Sequence, residues 1–322
     1  MRRKILATGM MVGLLGAAAC GGDSEAGDGG GEGGGEIAII TVDASNPYWA
    51  AEVATAEALA EELGYSYTTG AHGNDPDEQT RLMETAINND VDGILLDPAG
   101  ADESVAVVEQ AVDAGIPVSL VNAEISETGL AEAQIVSNNA QGAALGAETW
   151  AEAMDYEGTY VELYGEPSDN NAPVRSDGYE QVLSQYPDLE KVGEEVANWD
   201  RQEGQTSMEQ LLSRYPDIDG VISGNDEMAL GAINALEEAG RLDEVQVLGF
   251  DGSNDAAEAV ADGSMVATVL QPITDGTTQA IEILDEVIRT GDSSVEDEKI
   301  ALDCILVTEE NADQLADFEL SE

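Results

Sequence analysis

Basic residues are scarce. Lys and Arg number 11 against 67 Asp and Glu in 322 residues, for a formal charge of −56. Nucleic acid is excluded as a partner, because neutralising phosphates needs a basic face. Docking on anionic lipid headgroups is disfavoured for the same reason. There is one His, and there are two Cys. No CxxC, HExxH or GxSxG pattern occurs, so no nucleophile–base pair or zinc site is on offer. No catalytic residue, metal or cofactor is therefore expected. Acids are everywhere, so carboxylate-pair glycosidase chemistry stays open as a rival. Aromatics are only 4% of the chain, which makes their positions informative. Hydrophobic residues are nonetheless 43%, too many for an acidic disordered chain. An excess of acid on a folded protein reads as adaptation to high salt, where screening removes the cost of self-repulsion.

The first residues, MRRKILATGMMVGLLGAAAC, place Arg2, Arg3 and Lys4 before an uncharged run from Ile5 to Ala19. That is a signal peptide, too short for a stable membrane span. Residues 1–19 are assigned to it. Small residues followed by Cys20 resemble a bacterial lipoprotein signal, in which the Cys is lipidated. Ala17 stands where such signals usually carry Leu, and Ala17-x-Ala19 also suits ordinary signal peptidase. The expected location is extracytoplasmic, tethered to the membrane through Cys20, or periplasmic if Cys20 is not lipidated. Residues 21–36 are Gly and acids with one Ser and one Ala, a tether of roughly 20 Å as a coil. The other cysteine, Cys304, sits in the apolar run KIALDCILVT and reads as an inert thiol in a buried strand.

From Glu36 onward short apolar runs alternate with helical patterns. IAIITV (37–42), 65–69, VDGILLDP, IPVSLVN and AQIVS read as strands, with helices over 49–63, after Asp75-Pro76, and over 102–114. A second series alternates GTYVELYG, KVGEEVA, IDGVISG, VQVLGF and SMVATVLQ with helices over 175–186, 201–214, 226–239 and 255–262. Helix 273–290 and the strand IALDCILVT follow. Such alternation predicts α/β architecture with parallel sheets covered by helices. There are too many strands for one compact sheet, and VDGILLDP echoes IDGVISGND, so two similar lobes with a cleft between them are expected.

In sheets of this kind ligands bind beyond the carboxyl ends of the strands. Those positions carry Asp43 to Trp49, Asn122, the loop 166–173 and then Arg175, Asn198 to Arg201, Asn225 with Asp226, Asp251, and Gln271. Amides and carboxylates can pair with hydroxyls from both sides, and flat aromatic rings pack on the C–H face of a sugar. Two of the three Trp fall here. Polar edges with aromatic faces suit a polyhydroxylated ligand.

The stretches SNPYW (45–49), RSDGY (175–179), NWDR (198–201), SGNDEMALGA (223–232), LGFDG (248–252) and TVLQ (268–271) resemble the periplasmic sugar-binding proteins of the ribose and galactose type. These are the receptors of sugar ABC importers, and the likeness covers Glu36 to about Asn311. It implies the type I periplasmic binding fold, with three crossings near Ser137, Gln271 and Ala301. The lobes would be 37–136 plus 272–300 and 137–271 plus 301–322. It implies capture of a sugar, polyol or cyclitol by lobe closure and delivery to a membrane permease. It also implies Asn46, Tyr48 and Trp49 as a polar group and two ring faces, Arg175 on hydroxyls and Trp199 against the ring. Asn225, Asp251 and Gln271 would hydrogen-bond hydroxyls. Ribose-type proteins carry Asp-Arg where this chain has Asn122-Ala123; Asn122 fits the galactose type, and the following base is missing. Asn171, four before Arg175, is placed to help, and Asp43, which opens the first loop, joins the candidates; Glu124 is a weaker one.

Blander roles compete at some positions. Arg175 could be a surface ion-pair residue, Asp200 and Asp226 could cap the helices that follow them, and His72 is expected to be exposed and inert. Sugar-responsive repressors share the fold but carry a basic DNA-binding segment at the N-terminus, where a secretion signal is expected here. A sugar-chemotaxis ligand carrier is compatible with the transport role.

Overall fold

The computed structural model describes residues 34–321. The expected signal peptide, Cys20 and most of the tether lie outside the described residues. The first lobe is a six-stranded parallel sheet. Its strands are β1 (Glu36–Thr41), β2 (Ser66–Ala71), β3 (Gly93–Leu96), β4 (Val118–Asn122), β5 (Ala133–Ser137) and β11 (Lys299–Leu302), in the order β11-β5-β4-β3-β1-β2. Helix α1 (Pro47–Leu63) starts from Asn46, whose side chain accepts the Tyr48 N–H, and stops at Gly64 in the left-handed region. Helix α2 (Pro76–Asn88) begins under the Asp75 cap as the sequence predicts. Helix α3 (Val105–Asp113) follows, and α9 (Ile273–Thr290) packs on β3 to β5 and against α1. Strand β3 is apolar and buried throughout, and β1 from Ile37 onward and β4 are buried and mostly apolar, because helices cover both faces.

The second lobe has β6 (Gly158–Tyr164), β7 (Leu189–Val196), β8 (Gly220–Ser223) and β9 (Gln246–Leu248), all parallel in the order β7-β6-β8-β9. Single bridges join the β9 side to β10 (Thr268–Leu270), which pairs antiparallel with β12 (Ile305–Val307). Helices α4 (Asn139–Ala153), α5 (Asn171–Leu183), α6 (Arg201–Arg214), α7 (Asp226–Ala239) and α8 (Asn254–Asp262) surround it. Three crossings join the lobes, at β5–α4, β10–α9 and β11–β12. The first and third are stapled together: Gln141 exchanges hydrogen bonds with the backbone of Cys304 at 2.9 and 3.2 Å, and the Asn138 amide donates to Asp303 at 2.9 Å.

The structure departs from the sequence pattern in four places. Residues 139–153, unassigned by the strand–helix pattern, form α4; small residues such as Gly142 and Gly146 let it approach Cys304 and Val269 closely. Helix α5 starts at Asn171, not 175, because Asp169 accepts the Asn171 N–H at 2.8 Å. The run 299–307 is not one strand. β11 stays in the first sheet through Leu302, so the last crossing falls at Asp303–Cys304 rather than Ala301. Cys304 is buried at that crossing, its thiol pushed up to about 12 by burial. His72 is buried, not exposed: Nε2 lies 2.8 Å from the Asp97 carbonyl oxygen and Nδ1 accepts the Asn74 N–H at 3.2 Å. Those partners require the neutral Nε2–H tautomer, and burial lowers the pKa accordingly.

Candidate functional site: an interlobe crevice

The N-terminus of α1 supplies one wall. The Asn46 Oδ1 caps the helix, which leaves Nδ2 to reach across the cleft to the Trp199 carbonyl at 3.4 Å. The Tyr48 hydroxyl donates to Asn122 Oδ1 at 3.1 Å. Asn122 ends β4 at φ +66°, a conformation amides tolerate, and its Nδ2 donates to Asp97 Oδ2 at 2.9 Å. The Tyr48 ring meets Phe318 edge to face at 5.7 Å. Phe318 lies between β13 (Leu315–Ala316) and β14 (Glu319–Leu320), in a hairpin held to α8 by two bonds between Asn254 and Asp317.

The second lobe supplies the other wall. Asn171 and Arg175 lie one turn apart on α5, hence on one face. Asn139 holds both: its Oδ1 accepts from Arg175 Nε at 2.7 Å, and its Nδ2 donates to Asn171 Oδ1 at 2.9 Å. Asn171 Nδ2 donates across the cleft to the Asn122 carbonyl at 3.3 Å. Arg175 Nη1 donates to the Gly224 carbonyl at 2.8 Å and to Asp251 Oδ1 at 3.3 Å. Its guanidinium lies 4.1 Å from the Phe250 ring centroid and 5.2 Å from that of Trp199. It is buried, so a surface ion pair is not its role. Trp199 sits at φ +64°, and its indole slides over Gly165 and Gly224, where any Cβ would collide with the ring. Asn225 caps α7 through Oδ1 and donates to the Trp199 carbonyl at 3.2 Å. Gln271 Nε2 donates to Asp251 Oδ1 at 2.7 Å.

One crevice is thus lined by Asn46, Tyr48, Trp49, Asn122, Asn171, Arg175, Trp199, Asn225, Asp251 and Gln271, together with Asp169. Only about 20 Å³ is free among them, about enough for one water. Anything larger than a water enters the crevice only if the lobes part. Asp43 is the predicted residue that stays out. It is exposed, binds Ser45 N and Oγ at 2.8 Å each, and lines an outer chamber of about 260 Å³. Glu124 pairs with Lys299 away from the crevice. Asp200 caps α6, as one bland alternative held; Asp226 does not cap α7 but is buried, accepting from Ser253 N and Thr268 Oγ1.

Burial pushes the Asp251 carboxyl up to about 8 although Arg175 opposes it. Burial likewise pushes Asp226 to about 7 and raises Asp169 above the usual carboxylate range. A single cation facing hesitant acids leaves the crevice close to neutral. Sequence patterns missed Asn139, Asp169 and Asp97. Asp97 had a signal, since it ends β3 as Asn122 ends β4; Asn139 follows β5 in the same way. Among the described residues no cluster of three or more His, Cys, Asp or Glu is placed to hold a metal.

The periplasmic binding protein domain family matches residues 37–293. A D-apiose import binding protein of Actinobacillus succinogenes is 46% identical over 288 residues, covering 89% of this chain and 92% of that protein. Another of Paraburkholderia graminis is 44% identical over 284 residues, covering 88% and 90%. An ABC transporter solute-binding protein of Bacillus halodurans with bound myo-inositol superposes with a TM-score of 0.80 at 29% identity, covering 88% of this chain and 98% of that one. These relatives are named as binding proteins, not enzymes. Two parallel-sheet lobes, a triple crossing and a shared crevice are the architecture of these receptors, and the chain belongs to the periplasmic binding protein family, as an extracytoplasmic solute-binding protein of sugar ABC import.

Proposed function

We propose that the crevice captures D-apiose, or a neutral pentose or polyol of that size, and hands it to an ABC permease. The observation that carries this reading is a set of polar atoms with no well-formed protein hydrogen bond on a near-neutral crevice. Trp49 Nε1, Trp199 Nε1 and Gln271 Oε1 are buried without a well-formed hydrogen bond, the Trp199 indole having only a loose one to Asp169. Two donors and an acceptor beside two indole faces suit hydroxyls that both give and accept. The ligand contacts are Asn46, Tyr48, Trp49, Asn122, Asn171, Arg175, Trp199, Asn225, Asp251 and Gln271, joined by Asp169. Ala123 is buried and offers no donor where ribose-type relatives carry Arg, which argues for a sugar other than ribose. The two D-apiose relatives support the apiose assignment.

Residues 37–136 with 272–302 form one moving lobe, and 137–271 with the chain after Asp303 form the other. Ligand touches both lobes and so stabilises the closed form by its differential affinity. Cys20 carries a lipid and residues 21–36 hold the lobes off the membrane; mass spectrometry of the native membrane form, and its release by Cys20→Ser, test the anchor. Thermal shift with D-apiose, D-ribose, xylitol, D-allose and myo-inositol tests the ligand. A ligand at 100 times its Kd stabilises by about 2.7 kcal/mol, so D-apiose gives the largest rise. A larger rise with another sugar overturns the apiose assignment. No rise with any of them overturns the capture reading.

A further inference from the structure

Asn139 opens α4 just after the first crossing and is buried, yet it does not line the crevice. Its neighbour Asn138 caps the helix and ties down Asp303, which leaves the Asn139 side chain free for other partners. Oδ1 accepts from Arg175 Nε at 2.7 Å. Nδ2 donates to Asn171 Oδ1 at 2.9 Å and to the Ser137 carbonyl at 3.1 Å, so both of its hydrogens are used. Asn171 in turn donates from Nδ2 to the Asn122 carbonyl of the other lobe at 3.3 Å. The two ends of this series fix its direction. A guanidinium only donates, and a backbone carbonyl only accepts. Asn139 must face Arg175 with its oxygen and Asn171 with its NH₂. Asn171 is then left with its oxygen inward and its NH₂ toward the first lobe.

We propose, on the reading of the crevice as the ligand site, that Asn139 is a positioning residue for capture: it transmits the polarity of Arg175 to Asn171, so that Asn171 meets the opposing lobe as a donor when the lobes close. Turned the other way, Asn171 would set its oxygen against the Asn122 carbonyl, acceptor against acceptor, at a buried contact. Asn139 aims the cation as well. Nε is held by Asn139, and Nη1 by the Gly224 carbonyl and Asp251. Nη2 is the arm of the fork without a protein hydrogen bond among the described residues, and it is what Arg175 has left for a ligand. Arg175 and Asn171 thus both turn N–H groups outward, and the second lobe addresses ligand oxygens here as acceptors.

The test is calorimetric and stopped-flow titration of D-apiose into the purified chain carrying Asn139→Asp, Asn171→Ala or both. In Asn139→Asp a carboxylate still accepts from Arg175 Nε, which holds it ionised, but it cannot donate. Asn171 then turns its NH₂ toward the carboxylate, and its oxygen meets the Asn122 carbonyl. Binding weakens about 10-fold or more, on the scale of one buried acceptor without a donor. The loss falls on release, because the mismatched contact forms only on closure, and association stays within about 2-fold of the parent. Once Asn171→Ala has removed the amide, Asn139→Asp costs less than about 3-fold. A Kd for Asn139→Asp within about 2-fold of the parent overturns the proposal, as do losses that simply multiply in the double variant. Should Asn139→Asp not fold, Asn171→Asp reaches the same mismatch from the other side. One of its oxygens still accepts from Asn139, and the other faces the Asn122 carbonyl. Its release of sugar is expected to quicken about 10-fold or more, and release at the parent rate overturns the proposal.

A measurement without ligand separates this inference from the capture reading. The partners of Asn139 all lie within residues 137–175, so its bonds do not depend on closure. In the nitrogen–proton correlation spectrum of the free chain, the Arg175 Nε–H is expected to exchange slowly with solvent and to shift on Asn139→Asp. A rapidly exchanging Nε–H, or one indifferent to the substitution, overturns the relay. If no sugar binds the parent while that signal is protected and shifts, the capture reading fails and the relay stands.

Discussion

Replacing Arg175 with Met removes the one cation of the crevice while keeping a long apolar stem against Phe250 and Trp199. Two buried acceptors lose their donors, the Asn139 amide oxygen at 2.7 Å and the Gly224 carbonyl at 2.8 Å. An orphaned buried acceptor costs about 1–3 kcal/mol, so the pair costs about 2–6 kcal/mol. Asp251 adds less than an abandoned buried charge would. Burial already holds its carboxyl near 8 with Arg175 present, so it stays neutral at pH 7 without Arg175. A net loss of about 3–4 kcal/mol lowers the melting temperature by about 6–16 °C at 2–4 °C per kcal/mol. Affinity suffers separately, because hydroxyls lose a charged donor worth about 2 kcal/mol or more, at least about 30-fold in Kd. Differential scanning calorimetry and sugar titration measure the two effects. Arg175→Lys restores charge but not the planar fork, and so recovers stability more than affinity. A melting point within 2 °C of the parent and a Kd within about 3-fold, for Arg175→Met, would refute the role assigned here.

Phe318→Ala removes an edge-to-face contact of about 0.5–1.5 kcal/mol between the C-terminal hairpin and Tyr48. Stopped-flow release of sugar is expected to quicken by about 2–10-fold; an unchanged rate denies the hairpin any part in closure. Gly165→Ala drives a Cβ into the Trp199 indole and is expected to weaken binding more than it lowers the melting point; normal affinity would show that the indole can move aside. Asp226 has a folded pKa raised to about 7 by burial, against about 3.9 unfolded. Its contribution is fully present below pH 4 and is lost as pH rises to about 7. Asp226→Asn, which carries no titratable proton, is expected to flatten that part of the melting curve, and an unaltered slope counts against it. With a charge of −56, lowering salt to ~10 mM extends the Debye length to about 30 Å and is expected to lower the melting point steadily; a salt-independent value removes the high-salt explanation of the acidity.

The chain's local grammar settled much on its own. Asp75-Pro76 and Gly64 mark helix ends by a side-chain cap and backbone freedom, which involve only near neighbours, and the structure keeps them, although α1 starts at Pro47 rather than 49. Helices α6, α7 and α9 fall on the predicted residues. Most crevice residues were legible too, because a parallel sheet delivers the residue after each strand to one edge, whatever the details of packing. Tertiary structure decided what depends on distant partners. Glu52 looks like any of 67 acids, and only the fold buries it completely. His72 is in a Gly- and Asn-rich turn that reads as open in the sequence, and the chain after β3 brings the Asp97 carbonyl to it. The run 299–307 is mostly apolar on both sides of Asp303, and its local pattern does not say that the two halves serve different sheets. Short-range geometry is written in neighbouring residues, whereas burial, protonation and lobe membership are properties of what the chain brings together from afar.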